Sequence, residues 1–224
     1  EHALPIYPLY SDVWKAISKS GMIVTPTLLV SYGGPFGENY FWTTENPYKD
    51  PKVQHFFAYE ELASKTRRVG GSFPYANAGW SMYEEQIFPK HAKNMKGLVE
   101  AGGMVGVGSH GEFQGLGYHW EVWALQSGGM RTLDALKCAT ILGATGLGLD
   151  KDLGSIENGK LADLLILDKN PLENIRNTNT IQYVMKNGRL YDGNTCDEIY
   201  PQQRKLNMSE WKFDKPVSNT TIKE

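Results

Sequence analysis

The chain has 224 residues, 41% of them hydrophobic, enough for a real core in one large domain or two modest ones. Its 23 basic and 25 acidic residues leave a net charge of −2, and no run approaches the roughly 18 apolar residues of a membrane helix, so neither nucleic acid nor a membrane is an expected partner. Cys138 and Cys196 fit no metal spacing and make no disulfide framework, which leaves the compartment unknown.

Taken in order, the chain opens Glu1-His2-Ala3-Leu4-Pro5, with neither an initiator methionine nor a charged-then-apolar leader, and reads as a piece of a longer chain. Ser11–Ser20 carries Val13, Trp14 and Ile17 at helical spacing, with Ser11 as N-cap and Gly21 as stop. Met22–Val30 is β-branched and apolar and reads as a strand, with Pro26 marking its end or a bulge. From Ser31 to about Pro51 comes a segment rich in Gly, Pro, Asn and aromatic residues. Its Tyr32–Tyr48 part is expected either to form a lid over a pocket or to pack against a partner chain.

Val53–Val69 and Tyr83–Ala101 read as helices, the second interrupted at Pro89. Gly102-Gly103 then hands over to Met104-Val105-Gly106-Val107-Gly108-Ser109-His110, a short apolar run ending in polar residues. Such a run reads as a buried strand of a parallel sheet, with its polar tip where parallel-sheet enzymes keep their chemistry. A helix follows over His119–Gln126, and Thr132 caps another with Leu133, Leu136, Ile141 and Leu142 at i, i+3, i+8 and i+9. From Leu153 the pattern changes to turns and short strands. Leu161–Asp168 and Ile181–Met185 are strands, and Asn187-Gly188 joins the second to Arg189-Leu190-Tyr191 as a hairpin. Beyond Gly193 the chain is polar and reads as a surface arm, with sequon matches at Asn207 and Asn219.

Three strings carry a resemblance: Gly115-Leu-Gly-Tyr-His-Trp-Glu121, Gly128–Thr140, and Leu153-Gly-Ser-Ile-Glu-Asn-Gly-Lys-Leu-Ala-Asp-Leu-Leu-Ile-Leu-Asp168 followed by Asn170-Pro171-Leu172. Together they resemble the C-terminal half of the metal-dependent amidohydrolase superfamily, in the branch of imidazolonepropionase-like and prolidase-like enzymes. The resemblance implies an α/β fold: part of a TIM-like (β/α)8 barrel, its C-terminal strands and helices, plus a small β-sandwich subdomain. The expected division is residues 1–150 for the barrel part, 151–193 for the β-sandwich segment and 194–224 for the polar tail.

The resemblance also assigns residues. Glu1-His2 stands where the sixth barrel strand supplies a metal-ligand histidine, Pro26-Thr27 ends the seventh strand, and the glycine-rich run is the eighth. His2 is thus the expected metal ligand. The family's Gly-Ser-Asp is here Gly108-Ser109-His110, so His110 is the expected catalytic residue in place of a proton-accepting carboxylate, with Glu112 nearby. Zinc or another divalent metal would activate water for attack on a small-molecule amide or dipeptide-like substrate. The family's remaining ligands have no counterpart in this chain. The expectation is therefore that a metal binds once a missing N-terminal segment is supplied, or that the chain holds none. The expected partners of the open sheet are that segment or a second copy in a homo-oligomer. The other reading is a non-catalytic fragment or pseudoenzyme that self-associates as a structural piece.

The remaining candidates are weaker. His119 is either a packing residue or a substrate contact. His55 and His91 are expected on solvated helix faces, and Asp163 and Asp168 in turns of the β subdomain.

Overall fold

The computed structural model describes residues 2–4, 6–64, 82–110 and 113–206. Two parallel strands occupy the centre of the first part: β1 (Ile23–Val24) pairs with β2 (Met104–Val105), with Ile23 opposite Met104 and Val24 opposite Val105. Backbone bonds carry the pairing further along the chain, from Gly106 N–H to the Val24 carbonyl at 2.9 Å and from Gly108 N–H to the Pro26 carbonyl at 3.0 Å. The two strands approach closely because Gly108 has no side chain. A Cβ there would sit 2.6 Å from the Pro26 carbonyl oxygen and 2.8 Å from that of Thr25.

Helices surround this pair: α1 (Ser11–Ser20), α2 (Gly37–Glu45), α3 (Pro51–Phe56), α4 (Phe88–Glu100), α5 (Leu116–Ser127), α6 (Thr132–Cys138) and α7 (Ile141–Gly146). A further helical stretch covers 59–64. α4 leads into β2, and α5 packs along α4. Trp120 of α5 is completely buried, with Phe88, Phe113, Leu28, Met95 and Leu98 among the largest side chains around it. Each such side chain contributes about 1.5–3 kcal/mol by leaving water, so the helices are ordered by this shared core.

The second part is an antiparallel sheet in the order β3 (Leu164–Leu167), β4 (Ile181–Lys186), β5 (Arg189–Asp192), β6 (Glu198–Tyr200). The β4–β5 turn is the Asn187-Gly188 hairpin read from the sequence. Both residues have positive φ, 48° and 75°, as the tight hairpin turn requires. A 3-10 stretch, Ile175–Asn179, buries Ile175 and Thr178 and packs against α5.

Several expectations are corrected. The strand expected over Met22–Val30 is only two residues long, because Pro26 offers no N–H to a ladder and Leu28–Val30 turns into a 3-10 helix. The aromatic segment is not a long loop: it folds into α2 and a 3-10 turn at Pro47–Lys49, with Phe41 and Trp42 buried, Phe41 stacked on Trp120 at 5.7 Å and Trp42 packed on Phe113 at 4.8 Å. Pro89 starts a helix rather than interrupting one, since the first turn needs no proline N–H. Ser11 and Thr132 are first helical residues, not caps; the caps are Tyr10 and Arg131. The helix from Thr132 is two helices, broken between Cys138 and Ile141. The polar arm contributes β6, and Arg204 bridges back to Glu198. The expected helix beyond residue 64, Glu112 and both sequons lie outside the described residues.

Among the described residues no barrel closes: the sheets have two and four strands.

Candidate active site

The carboxyl ends of β1 and β2 lie side by side, which brings Thr27 and His110 to one edge. A third element reaches the same edge. The His2 ring places Nδ1 2.7 Å from Thr27 Oγ1, and its centroid is 5.9 Å from that of His110 at an interplanar angle of 41°. Both histidines are exposed, whereas Thr27 is buried. The two residues singled out from the sequence, 108 positions apart in the chain, are therefore neighbours at the end of a parallel strand pair.

The segment carrying His2 is fixed from behind. Ala3 and Leu9 are buried, and Asn94 of α4 accepts from Leu9 N–H at 3.1 Å through Oδ1 while its Nδ2 donates to the Ile6 carbonyl at 2.8 Å. His2 itself has φ of 62°, a left-handed conformation that costs a non-glycine residue about 1–2 kcal/mol. Its neighbours' burial and the Thr27 contact offset that cost.

Below Thr27 lies a residue that sequence reasoning missed. Glu121 of α5 has no exposed surface, and its two oxygens each accept one backbone N–H: Oε1 from Leu28 at 2.5 Å and Oε2 from Leu29 at 3.1 Å. Burial pushes its carboxyl up to about 8; the two backbone donors oppose the shift, and Glu38 adds to it. Glu38, on α2, is itself buried and accepts from Trp42 Nε1 at 3.3 Å. A charged residue inside the apolar string Trp120-Glu-Val-Trp-Ala-Leu125 was the available signal, because such a residue is buried only with partners.

The other candidates lie in structural contacts. His119 is partly buried, with Nδ1 3.2 Å from Thr178 Oγ1; the same hydroxyl accepts from Trp123 Nε1 at 2.9 Å. Burial first, and Lys52 second, push His119 down to about 4, so its ring is neutral. His91 is buried in α4, not solvated, and desolvation lowers its pKa. His55 is exposed, as expected. Asp163 accepts from Asn187 N–H at 2.7 Å and pairs with Lys186, holding the hairpin turn. Among the described residues no three or more His, Cys, Asp or Glu side chains come together in a group that could hold a metal ion.

Parallel strands connected through helices define an α/β protein, with polar side chains gathered at the carboxyl edge of the strand pair. The chain belongs to the Amidohydrolase family, whose model matches residues 76–191. It is 31% identical to an ochratoxinase of Aspergillus niger over 113 residues, which are 49% of this chain and 24% of that protein. It is 40% identical to a 5'-deoxyadenosine deaminase of Methanobrevibacter smithii over 79 residues, 33% of this chain and 18% of that one. The chain thus aligns with about a quarter or less of each of these relatives. Among solved structures, a Xaa-Pro dipeptidase with bound methionine superposes with a TM-score of 0.50 at 22% identity, covering 81% of this chain and 37% of that one. The A. niger ochratoxinase superposes with a TM-score of 0.50 at 20% identity, covering 84% and 36%. These likenesses establish a shared fold.

Proposed function

We propose that the chain is part of a hydrolase that cleaves carbon–nitrogen bonds in small amide or dipeptide-like substrates, with the His2–Thr27–His110 edge as its site. The observation that carries this is the convergence of two histidines from distant segments on the carboxyl edge of a parallel strand pair in a chain of this family. In this reading residues 1–150 belong to the catalytic barrel and 151–193 to the β-sandwich.

An imidazole suits a divalent metal such as zinc in kind, but one falls short in number, since catalytic zinc keeps three protein ligands. His2 would hold one position of the metal's shell, completed by residues outside those described, in an N-terminal segment or a second copy. Such a metal, when bound, would supply activation of a water for attack on the amide carbon. The chain's own residues orient and move protons. Thr27 holds the His2 ring through Nδ1, and His110 takes up a proton at a ring nitrogen where the family resemblance expects a carboxylate.

Elemental mass spectrometry of the purified protein, with His2→Ala and His110→Ala variants, tests this. The expected result is a divalent metal whose content falls in His2→Ala, and hydrolysis of N-acyl amino acids or dipeptides that falls in both variants. Equal metal content in wild type and His2→Ala overturns the assignment of His2, and undiminished hydrolysis in His110→Ala overturns that of His110.

A further inference from the structure

The 3-10 helix Leu28–Val30 begins at Thr27, a residue type that ordinarily caps such a turn by accepting a backbone N–H with its hydroxyl. Here it makes no side-chain cap bond. Every early donor of the turn is accounted for by another acceptor: Leu28 N–H and Leu29 N–H by the Glu121 carboxylate, and Val30 N–H by the Thr27 carbonyl at 3.3 Å. No donor of the turn remains for Thr27 Oγ1, which instead meets His2 Nδ1 at 2.7 Å.

We propose that Glu121 is a positioning residue of the candidate site: by capping the Leu28–Val30 turn in place of Thr27, it leaves the Thr27 hydroxyl to accept from His2 Nδ1–H and so fixes the ring and its tautomer. A neutral His2 held in this way carries its lone pair on Nε2, the nitrogen left for a ligand or a proton. Outer partners of this kind orient a functional imidazole and set which nitrogen can react. The chain of influence has three links: α5 supplies the buried carboxylate, the carboxylate occupies the turn, and the freed hydroxyl occupies the imidazole. The influence of Glu121 on His2 runs through Thr27.

The inference rests on His2 as a site residue, but its test needs no metal and no substrate. Nitrogen-15 spectra of the histidines, taken above about pH 8 where imidazole is neutral and Glu121 is ionised, report which ring nitrogen carries the proton. The wild-type protein should show His2 protonated at Nδ1. Thr27→Val should lose that preference, and Glu121→Gln should lose it as well, because the amide nitrogen cannot accept the second N–H and Thr27 returns to capping. The double variant should be no different from either single one, a non-additivity that mere destabilisation would not produce. Should Glu121→Gln fail to fold, Glu121→Asp serves, since it keeps the charge and withdraws the carboxylate by one methylene.

A folded Glu121 variant with the wild-type His2 tautomer, or a wild-type His2 protonated at Nε2, overturns the proposal. If the tautomer responds as described while metal content is insensitive to His2, the positioning role stands and the proposed hydrolase site falls. If metal content depends on His2 while the tautomer ignores Glu121, the site stands and the positioning role falls.

Discussion

Replacing Gly108 with alanine tests whether strand contact sets the separation of the two histidines. The added methyl would lie 2.6 Å from one backbone carbonyl oxygen and 2.8 Å from another. Neither atom can rotate away, so the strands must part and the 3.0 Å bond from Gly108 N–H to Pro26 must stretch. Overpacking of this kind costs about 1–3 kcal/mol and a lost backbone bond about 0.5–1.5 kcal/mol, together about 2–4 kcal/mol. In a chain of this size each kcal/mol lowers Tm by about 2–4 °C, so a fall of about 5–15 °C is expected by scanning calorimetry. Gly106→Ala is the internal comparison. Its methyl meets the Thr25 side chain at 2.9 Å rather than backbone, so relief is easier and the loss smaller. The proton contacts between the His2 and His110 rings should weaken in Gly108→Ala and persist in Gly106→Ala. A Gly108→Ala protein that melts within about 2 °C of wild type, with those contacts intact, would refute the reasoning.

Three further outcomes are expected. Glu121 is raised from 4.5 to about 8, so its contribution to stability is fully present below pH 4.5 and is lost as pH rises to about 8; His119 is lowered from 6.5 to about 4, so its contribution is present above pH 6.5 and is lost as pH falls to about 4. The two oppose each other over their shared window, and between pH 6.5 and 8 Glu121 alone should lower stability by up to about 2 kcal/mol. Urea unfolding at the two ends of that window should show the fall in wild type and not in Glu121→Gln; a wild-type protein equally stable at both would contradict it. Thr178→Val strands the Trp123 indole N–H and the His119 ring in a buried setting and should cost about 1–3 kcal/mol, read as a lower urea midpoint. Asn94→Ala removes both bonds to the segment that follows His2 and should accelerate amide exchange at Leu9 before it lowers Tm; unchanged exchange there would mean the segment is held by burial alone.

The features legible in the sequence are those whose cause is local. The Asn187-Gly188 turn can be read because only certain residues take positive φ at two successive positions. The glycine-punctuated run reads as a buried strand with a polar tip, and the tip is where His110 lies. The misreadings have causes of a different kind. The aromatic segment suggests a long loop because it is rich in Gly, Pro and Asn, and only the packing of Phe41 on Trp120 shows its rings filling the core. His91 is polar and so suggests a solvated face, yet Phe88, His91, Ala92, Met95 and Leu98 share one face of α4, so the helical spacing itself puts it in the apolar stripe.

The same distinction explains why the histidines can be found in the sequence and their support cannot. His2 and His110 are exposed, and a residue type that stands out chemically at a strand end can be seen in one dimension. Glu121 and Asn94 act through backbone groups that no residue type announces: two N–H groups of a turn, one N–H and one carbonyl of a passing segment. A buried carboxylate is tolerated only where such donors wait for it, so each polar residue inside the core points to the backbone segment it holds. Applied to α5, that rule leads from Glu121 to the turn after β1, from the turn to Thr27, and from Thr27 to the ring of His2. The exposed edge therefore draws its geometry from the interior, and a substitution in α5 reaches the histidine through Thr27.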